Sequence, residues 1–315
     1  MREGDRIIKK VITDIKTLKI QGATSVRRAS IEALLKAVKK EKFKNREEFR
    51  KKVIGWAKQL AYARATEPET RNAIAEAISV LNYERELDEL KEIFLNACKR
   101  INERLDNAKE RIAIIGANLI KKAEIVMTHC HSTTVQKALY IAHKRGSLKT
   151  VITTETRPLY QGRITAKKLA KMGIKVIHIV DSAASSYMAK ADYFLTGCDA
   201  ILANGSIVNK IGTRMMSILA KKENVPHLVL ASSYKFDAAT LFGEEIIEIR
   251  NASEVWETNI KNIKIENPAF DITESELIKA IVCELGAFSP ESFAVLAYKE
   301  FAPKLKNLER LRRRN

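Results

Sequence analysis

A thiol and a carboxyl group each follow a short apolar run in this sequence. Cys130 comes after residues 125–127, and Asp199 comes after residues 193–195 and a glycine. Each run is of strand type and precedes a segment with helical character, so both residues would lie at the carboxyl edge of a parallel sheet, where ligands bind. A thiol and a carboxyl group that meet at such an edge indicate acid–base chemistry on a small molecule.

Cys130 is open to three interpretations. His129 and His131 flank it, but neighbouring side chains of an extended segment point to opposite faces, which disfavours a metal shared by the three. A lone cysteine after an apolar strand is most often a small buried hydrophobe. A thiol that faces the N-terminus of a helix starting near Ser132 would instead have a lowered pKa and could act as a base.

Asp199 is open to two interpretations. In isolation, an aspartate after Gly197 is as often a cap of the next turn or helix as a functional group. A carboxyl group in a semi-apolar crevice would instead keep a proton at neutral pH and donate it to a substrate.

Three segments are candidate anion sites. Asn209, Lys210 and the backbone amides near Gly212 precede a predicted helix, and free amides at a helix N-terminus attract phosphate. Lys235 adds a cation at the end of another predicted strand. An ordinary helix start is the alternative at Gly212.

The third candidate anion site lies near the start of the chain. Gly22, Ala23, Thr24 and Ser25 precede a predicted helix, and their small side chains let the backbone approach a ligand closely. Arg27 and Arg28 follow in that helix as possible phosphate ligands. An ordinary helix start is the alternative here too.

The elements that must position these residues fall into two groups. Residues 1–121 form a predicted helical domain, because apolar residues recur every three or four positions, most clearly from Leu87 to Ile112. Residues 122–315 alternate five β-branched runs with helical segments, which predicts a Rossmann-like domain with a mainly parallel sheet. The fold class is therefore α/β. A nicotinamide site is not expected, because no G-x-G-x-x-G follows any of these strands.

Composition narrows the class of protein. The 315 residues include 56 Lys and Arg against 38 Asp and Glu, a net charge of +18 that would attract phosphate groups. Much of the lysine alternates with glutamate, as on a solvated surface, so nucleic acid is an unlikely partner and residues 310–314 read as a basic tail. No apolar stretch is long enough to span a membrane. The four cysteines are widely spaced, so we expect reduced thiols, no disulfide framework and a cytoplasmic location.

Several of these segments together resemble the family that comprises sugar 1-phosphate isomerases and the regulatory subunits of translation initiation factor 2B. The resemblance covers nearly the whole chain. It rests on Gly22-Ala23, Thr128-His129-Cys130, Glu155-Thr156-Arg157-Pro158, Gln161-Gly162, Asp181-Ser182-Ala183-Ala184, Gly197-Cys198-Asp199, Asn204-Gly205, Asn209-Lys210-Ile211-Gly212-Thr213 and Asn267-Pro268-Ala269-Phe270-Asp271.

The resemblance implies residue roles. Cys130 would be the catalytic base and Asp199 the catalytic acid. Substrate contacts would come from Gly22, Ala23, Thr24, Ser25, Arg64, Asn209, Lys210 and Lys235. The regulatory subunits generally lack the paired cysteine and aspartate, so their presence favours an enzyme.

The implied reaction is conversion of ribose 1,5-bisphosphate to ribulose 1,5-bisphosphate, in nucleoside monophosphate degradation of the archaeal type. Cations in both halves of the chain favour a bisphosphate, whereas a methylthio group would need an apolar pocket. The alternatives are a methylthioribose-1-phosphate isomerase and a non-catalytic subunit like those of initiation factor 2B. We expect a phosphorylated pentose as substrate, no cofactor or metal, and a homo-oligomer built from dimers, of which a hexamer is one form.

Overall fold

The computed structural model describes residues 2–64, 66–243, 247–301, 307 and 311. The chain folds into two compact units, one drawn from Met1–Asn107 and Tyr298–Asn315 and the other from Ala108–Ala297. The division into domains that we predicted, between residues 121 and 122, stays a prediction. Most of the basic tail, namely residues 310 and 312–314, lies outside the described residues.

The first unit is built from helices. They are α1 (Glu3–Lys16), α2 (Ala23–Lys40), α3 (Arg46–Ala61), α4 (Pro68–Ser79) and, up to Asn107, the long α5 (Leu87–Leu119), whose remaining residues belong to the second unit. Its core is partly aromatic: the ring of Phe49 contacts those of Phe43 and Phe94 edge-on, at centroid distances of 5.0 and 6.1 Å. Helix α3 begins where the Asn45 side chain accepts a hydrogen bond from the Glu48 N–H, which satisfies an otherwise unpaired helix donor.

The second unit alternates strands and helices along the chain. In chain order they are β1 (Ile125–Thr128), α6 (Thr133–Lys144), β2 (Thr150–Thr154), α7 (Gln161–Lys171), β3 (Lys175–Ile179), α8 (Ala184–Tyr187), β4 (Tyr193–Thr196), β5 (Ala200–Ile201), β6 (Ile207–Lys210), α9 (Thr213–Lys222), β7 (His227–Leu230), β8 (Phe270–Thr273), β9 (Ala280–Cys283), β10 (Gly286–Phe288) and α10 (Pro290–Phe301). All five strands that the β-branched runs predicted are present. Helix α8 is short, with a 3₁₀ turn directly before it and another directly after it.

Seven strands form one sheet in the order β10-β9-β7-β4-β1-β2-β3, parallel except for the pair β9–β10. From β1 the chain proceeds to β2 and β3 on one side, and then returns to β4 on the other side. The strand order therefore reverses between β1 and β4, which are hydrogen-bonded neighbours. In open α/β sheets this reversal opens a crevice at the carboxyl ends of the strands, where ligands bind.

Both faces of the sheet are covered. Val126 packs with α6 and the end of α5, whereas the next residue, Met127, packs on the opposite face with Met216 of α9. This alternation follows from the two-residue period of a strand. Burial on both faces explains why β1 and β2 read as apolar runs rather than as alternating patterns. The expected α/β fold with a mainly parallel sheet is confirmed.

A second sheet was not predicted. Strands β5, β6 and β8 pair in antiparallel fashion, with Asn209 opposite Asp271 and Lys210 opposite Phe270. Asn209 and Lys210, which we predicted to precede a helix, end strand β6 and lead into α9, whose N-cap is Gly212. No helix among the described residues is both long and apolar enough to cross a bilayer.

Candidate active site

Cys130 and Asp199 lie on either side of the strand-order reversal. Cys130 follows the end of β1 by two residues, and Asp199 follows the end of β4 by three. Because β1 and β4 are paired in parallel, with Thr128 opposite Leu195, the two residues leave the same edge of the sheet next to each other. Burial is the main cause of the raised pKa of the Cys130 thiol, and the charge of the Asp199 carboxylate raises that pKa further, so the two groups interact electrostatically.

The backbone of Cys130 is held in a strained conformation. Its φ of 67° lies in the left-handed region, which costs a residue with a Cβ about 1–2 kcal/mol. Its N–H donates to Oγ1 of Thr156 at 3.0 Å, and its carbonyl accepts from Oγ1 of Thr165 at 2.8 Å. At about 1 kcal/mol for each such bond, the two hydroxyl groups offset the strain.

Thr156 is itself fixed by Asp181. The Asp181 carboxylate accepts hydrogen bonds from the N–H groups of Thr156 and Arg157, at 2.8 and 2.7 Å. This grip holds the turn after β2, in which Thr156 has a φ of 63°. The hydroxyl group that binds the Cys130 N–H therefore has a fixed position.

Thr165 is fixed by a second network. The side-chain amide of Gln136 donates to Oγ1 of Thr165 at 3.2 Å and to Nδ1 of His131 at 2.8 Å. Burial is the main reason that the pKa of His131 falls to about 4, so this ring is neutral and accepts at Nδ1. Helix α7 can come this close because Gly162 has no side chain: a Cβ there would lie 1.7 Å from the carbonyl oxygen of Thr154.

His129 connects the cysteine segment to the end of β6. Its ring is buried, with Nδ1 2.6 Å from Oγ1 of Thr154 and Nε2 3.0 Å from the carbonyl oxygen of Ile211. Burial lowers the pKa of His129, so a neutral ring donates from Nε2 and accepts at Nδ1. Among the described residues no cluster of three His, Cys, Asp or Glu side chains could hold a metal ion.

The protonation state of the thiol differs from our expectation. We predicted a lowered pKa for Cys130, but burial raises its pKa to about 12. The carboxylates of Asp199 and Asp181 raise the pKa further, while the ammonium group of Lys210 lowers it. Desolvation disfavours the charged thiolate more strongly than the nearby cation favours it, so the thiol of the free protein carries its proton.

Lys235 lies beside the aspartate. It sits in a 3₁₀ turn after β7, and its ammonium group donates to the carbonyl oxygen of Cys198, the residue before Asp199. The turn is anchored by Glu284, whose carboxylate accepts from the Ser233 hydroxyl at 2.6 Å. The structure thus brings a predicted substrate-binding cation to the predicted acid.

Lys210 and Asn209 lie at the end of β6, and both are buried. The ammonium group of Lys210 stands 4.9 Å from the centre of the Phe270 ring, and its charge acts on the Cys130 thiol. The Asn209 amide donates to Oγ1 of Thr213 at 2.9 Å. The second unit therefore groups Cys130 and Asp199 with three of the predicted substrate-binding residues.

Our prediction that the backbone amides at the start of α9 bind an anion is wrong. The N–H groups of Gly212 and Arg214 donate to Oδ2 of Asp271, at 2.7 and 3.1 Å. A carboxylate of the protein already occupies the position that a phosphate would take at this helix end. Positive charge from Lys210, rather than these two amides, is what the segment offers to an anion.

Some charged groups of the polar segment after β2 pair with each other. Arg163 pairs with Glu155 at 3.2 Å. The guanidinium group of Arg157 donates to the Tyr160 hydroxyl and to the carbonyl oxygen of Val255.

The remaining predicted site residues belong to the first unit. Gly22, with a φ of 80°, is the N-cap of α2, which begins at Ala23 and continues through Thr24 and Ser25. Gly22 and Ser25 are exposed, so the helix start is accessible to a ligand. Arg64 follows α3 and lies 3.1 Å from a carboxylate oxygen of Glu67.

The expectation that Arg27 binds a phosphate is wrong. Its side chain is fully buried, and its guanidinium group bonds to Glu69, Asn102 and Asp106. Arg28 is half exposed and also pairs with Asp106. Arg27 is a structural cation of the helical unit.

Sequence reasoning gave no role to Thr156, Thr165 or Asp181, although Thr156 and Asp181 lie in motifs that carry the resemblance. Thr156 and Thr165 bond to the backbone of Cys130, and Asp181 bonds to the Thr156 N–H. These contacts join residues 25 to 35 positions apart along the chain, so no local pattern identifies the partners.

The chain is similar to known proteins along most of its length. A sequence model of the initiation factor 2 subunit family matches residues 19–290. The chain is 39% identical over 304 residues to ribose 1,5-bisphosphate isomerase of Methanocaldococcus jannaschii, covering 96% of this chain and 97% of the other. It is 37% identical over 305 residues to the protein of the same name from Thermococcus kodakarensis, covering 94% and 95%.

A solved structure is also similar. 5-Methylthioribose 1-phosphate isomerase from Pyrococcus horikoshii superposes with a TM-score of 0.78 at 26% identity, covering 93% of this chain and 88% of the other.

Proposed function

This chain belongs to the initiation factor 2 subunit family, and on that premise we propose that it converts ribose 1,5-bisphosphate to ribulose 1,5-bisphosphate. The chain is an isomerase of sugar phosphates, as its relatives at 37–39% identity along nearly their whole length are named. The structural observation that carries the proposal is the placement of Cys130 and Asp199 at the ends of the adjacent strands β1 and β4.

The first proposed step opens the sugar ring. Because a phosphate occupies the anomeric oxygen, the ring cannot open as a free aldose does. Asp199 donates a proton to the ring oxygen, the bond from that oxygen to C1 breaks, and positive charge develops at C1. A carboxyl group in a crevice beside a strand end is suited to this role of general acid.

The second proposed step moves hydrogen from C2 to C1. The Cys130 thiolate removes the proton from C2, the two electrons of that bond form a double bond between C1 and C2, and an enol phosphate results. Loss of the hydroxyl proton at C2 and protonation of C1 then give the ketose. The left-handed backbone of Cys130 would direct its sulfur toward C2.

The proposed roles need one proton shared between two groups. The active form carries that proton on Asp199 and leaves Cys130 as thiolate, whereas burial raises the pKa of Cys130 and favours the protonated thiol in the free protein. The Lys210 ammonium group lowers the pKa of that thiol, so we assign to Lys210 the stabilisation of the thiolate as well as contact with a substrate phosphate.

The substrate-binding residues predicted in each unit remain part of the proposal. Asn209, Lys210 and Lys235 supply polar and cationic groups beside the reacting atoms. Gly22, Ala23, Thr24 and Ser25 supply a helix start that suits an anion, and Arg64 supplies a cation. Among these groups, the cations favour a second phosphate over a methylthio group.

A hydride shift is the competing route. In that route the hydrogen at C2 moves with its electrons to the positively charged C1, and the C2 hydroxyl loses a proton to become the carbonyl group. Cys130 would then take no proton from carbon.

The proposal is tested by substrate choice. The purified chain is incubated with ribose 1,5-bisphosphate and, separately, with 5-methylthioribose 1-phosphate, and the ketose is measured. Turnover of the bisphosphate alone supports the proposal. Turnover of the methylthio sugar alone would contradict the proposal and indicate a 5-methylthioribose 1-phosphate isomerase, the activity for which the similar solved structure is named. Turnover of neither would favour the non-catalytic subunit.

We also propose a place in the cell and an assembly. The proposed substrate is a phosphorylated pentose that is released when nucleoside monophosphates are degraded. Because this metabolism is cytoplasmic, we propose a cytoplasmic location. We propose a dimer-based homo-oligomer, which sedimentation velocity of the purified chain would test.

A further inference from the structure

We propose that Thr156 and Thr165 are positioning residues that hold Cys130 in its left-handed backbone and so aim the sulfur at the substrate. This inference rests on the proposed function, because the sulfur must reach a carbon atom of the sugar. Neither threonine touches the substrate in this proposal. Both act through the two ends of the cysteine residue.

The two hydrogen bonds form a clamp, by which we mean the contacts of Thr156 and Thr165 with Cys130. Thr156 accepts from the Cys130 N–H, and Thr165 donates to the Cys130 carbonyl. Both threonine side chains are almost completely buried. Water therefore does not compete for these bonds, and loss of either hydroxyl leaves a Cys130 backbone group without its partner.

The threonines come from different elements on opposite sides of the cysteine segment. Thr156 belongs to the turn after β2, and Thr165 belongs to α7. Each is fixed by a further group: Asp181 accepts from the Thr156 N–H, and the Gln136 amide donates to the Thr165 hydroxyl. Both threonines of the clamp are therefore held in place. A catalytic sulfur must be positioned within a fraction of an ångström, and such precision requires supporting contacts of this kind.

The strain at Cys130 makes the clamp necessary. A residue with a Cβ leaves the left-handed region when its contacts are removed, and such conformations persist where the surroundings impose them. Without a hydroxyl at position 156 or 165, the Cys130 peptide would relax toward φ below zero, and its sulfur would move.

The test uses shape-conserving variants. Thr156→Val and Thr165→Val remove the hydroxyl but keep a β-branched side chain of similar volume. Thr156→Ser and Thr165→Ser restore the hydroxyl. Thr153→Val is the matched control, because Thr153 is an equally buried residue of β2 whose hydroxyl bonds to His178 instead.

Two readouts are taken on every variant. With ribose 1,5-bisphosphate as substrate, kcat of each Val variant should fall about 10- to 100-fold while KM stays within about threefold. Each Ser variant should recover most of kcat. Thr153→Val should keep kcat. The second readout, the rate of Cys130 alkylation by iodoacetamide against pH, should change in both Val variants and return in both Ser variants.

The outcomes separate the two proposals. An unchanged kcat and an unchanged alkylation profile in the Val variants would overturn the clamp, as would a loss confined to KM or a loss that Ser does not restore. If the Val variant at one position does not fold, the clamp is tested by kcat and alkylation of the Ser variant at that position and of the Val and Ser variants at the other position. If the wild-type protein does not isomerise the bisphosphate, the proposed function is wrong. The clamp is then tested by the alkylation profiles without the kinetic data.

Discussion

The Nε2 atom of His129 lies 3.0 Å from the carbonyl oxygen of Ile211. This bond joins the residue before Cys130 to the residue after Lys210, so the buried imidazole links the segment of the thiol to the segment of the lysine. Gly212 follows, where a Cβ would lie 3.3 Å from the His129 ring. The imidazole therefore couples the main sheet to the small antiparallel sheet at the site.

Substitution of Arg27 by Met should destabilise the protein without weakening substrate binding. The variant leaves Glu69, which is 98% buried, without its cation, and uncompensated buried charges cost about 3–5 kcal/mol. Urea unfolding measures the free energy, and initial rates measure KM. Arg28→Met is the control, and because Arg28 is half exposed its loss should cost less than about 1 kcal/mol. A stable Arg27→Met variant with a raised KM would restore Arg27 as a phosphate ligand.

Alkylation of Cys130 by iodoacetamide should be slow at pH 8. Burial raises the pKa of this thiol from an ordinary 9.0 to about 12, which lowers its thiolate fraction roughly a thousandfold. The greater nucleophilicity of a more basic thiolate offsets part of this, so a rate roughly 50-fold below that of a free cysteine is expected. Peptide mass mapping identifies the alkylated residue.

Lys210→Met should slow this alkylation further, because the ammonium group lowers the pKa of Cys130. Lys168→Met is the control, since the leading electrostatic influences on the pKa of Cys130 come from Lys210, Asp199 and Asp181, whereas Lys168 lowers the pKa of His131. Faster alkylation in Lys210→Met would contradict the electrostatic role given to Lys210.

The stability given by Asp271 should depend on pH. Burial raises the pKa of this carboxyl to about 6 in the folded protein, so the folded state binds more protons than the unfolded state between about pH 4 and pH 6. The contribution of Asp271 is therefore present at low pH and is lost as pH rises through 6. Relative to Asp271→Asn, the wild type should lose on the order of 2 kcal/mol between pH 4.5 and pH 7.5.

Urea unfolding at several pH values tests this expectation. If the free-energy difference between wild type and Asp271→Asn is constant across that range, the carboxyl does not titrate as proposed.

The sequence predicted five of the seven strands of the main sheet, namely β1 to β4 and β7, and the two residues at its carboxyl edge, because strands covered on both faces read as apolar and β-branched runs. The sequence did not predict strands β9 and β10. It did not predict the small sheet. Strand β5 has only two residues, and β6 pairs with a strand some sixty residues later, so no local pattern marks them.

The sequence also did not predict which individual side chains are buried. The thiol of Cys130 was expected at a helix N-terminus with a lowered pKa, but desolvation dominates and raises its pKa. Arg27 was expected to face a phosphate, yet its position on α2 turns it into the helical unit toward Glu69. Which side of a helix faces an acidic partner depends on packing between elements.

Isomerisation in deuterium oxide should place deuterium at C1 of the ketose. The thiol formed when Cys130 removes the C2 proton can exchange with solvent before C1 is protonated, whereas a hydride shift carries the original hydrogen directly from C2 to C1. Proton NMR of the product at low conversion measures the label. A product without deuterium at C1 would favour the hydride shift and leave Cys130 without the role of base.

The most direct test of the paired acid and base is the turnover of ribose 1,5-bisphosphate by Cys130→Ser, by Asp199→Asn and by the double variant. Cys283→Ala, a buried thiol on β9, is the control for loss of a cysteine. Each single variant should lose about 10²- to 10⁴-fold in kcat, and the double variant should lose little more, because the two groups act as one unit. A folded single variant with the wild-type kcat would contradict the assignment of Cys130 and Asp199 as base and acid.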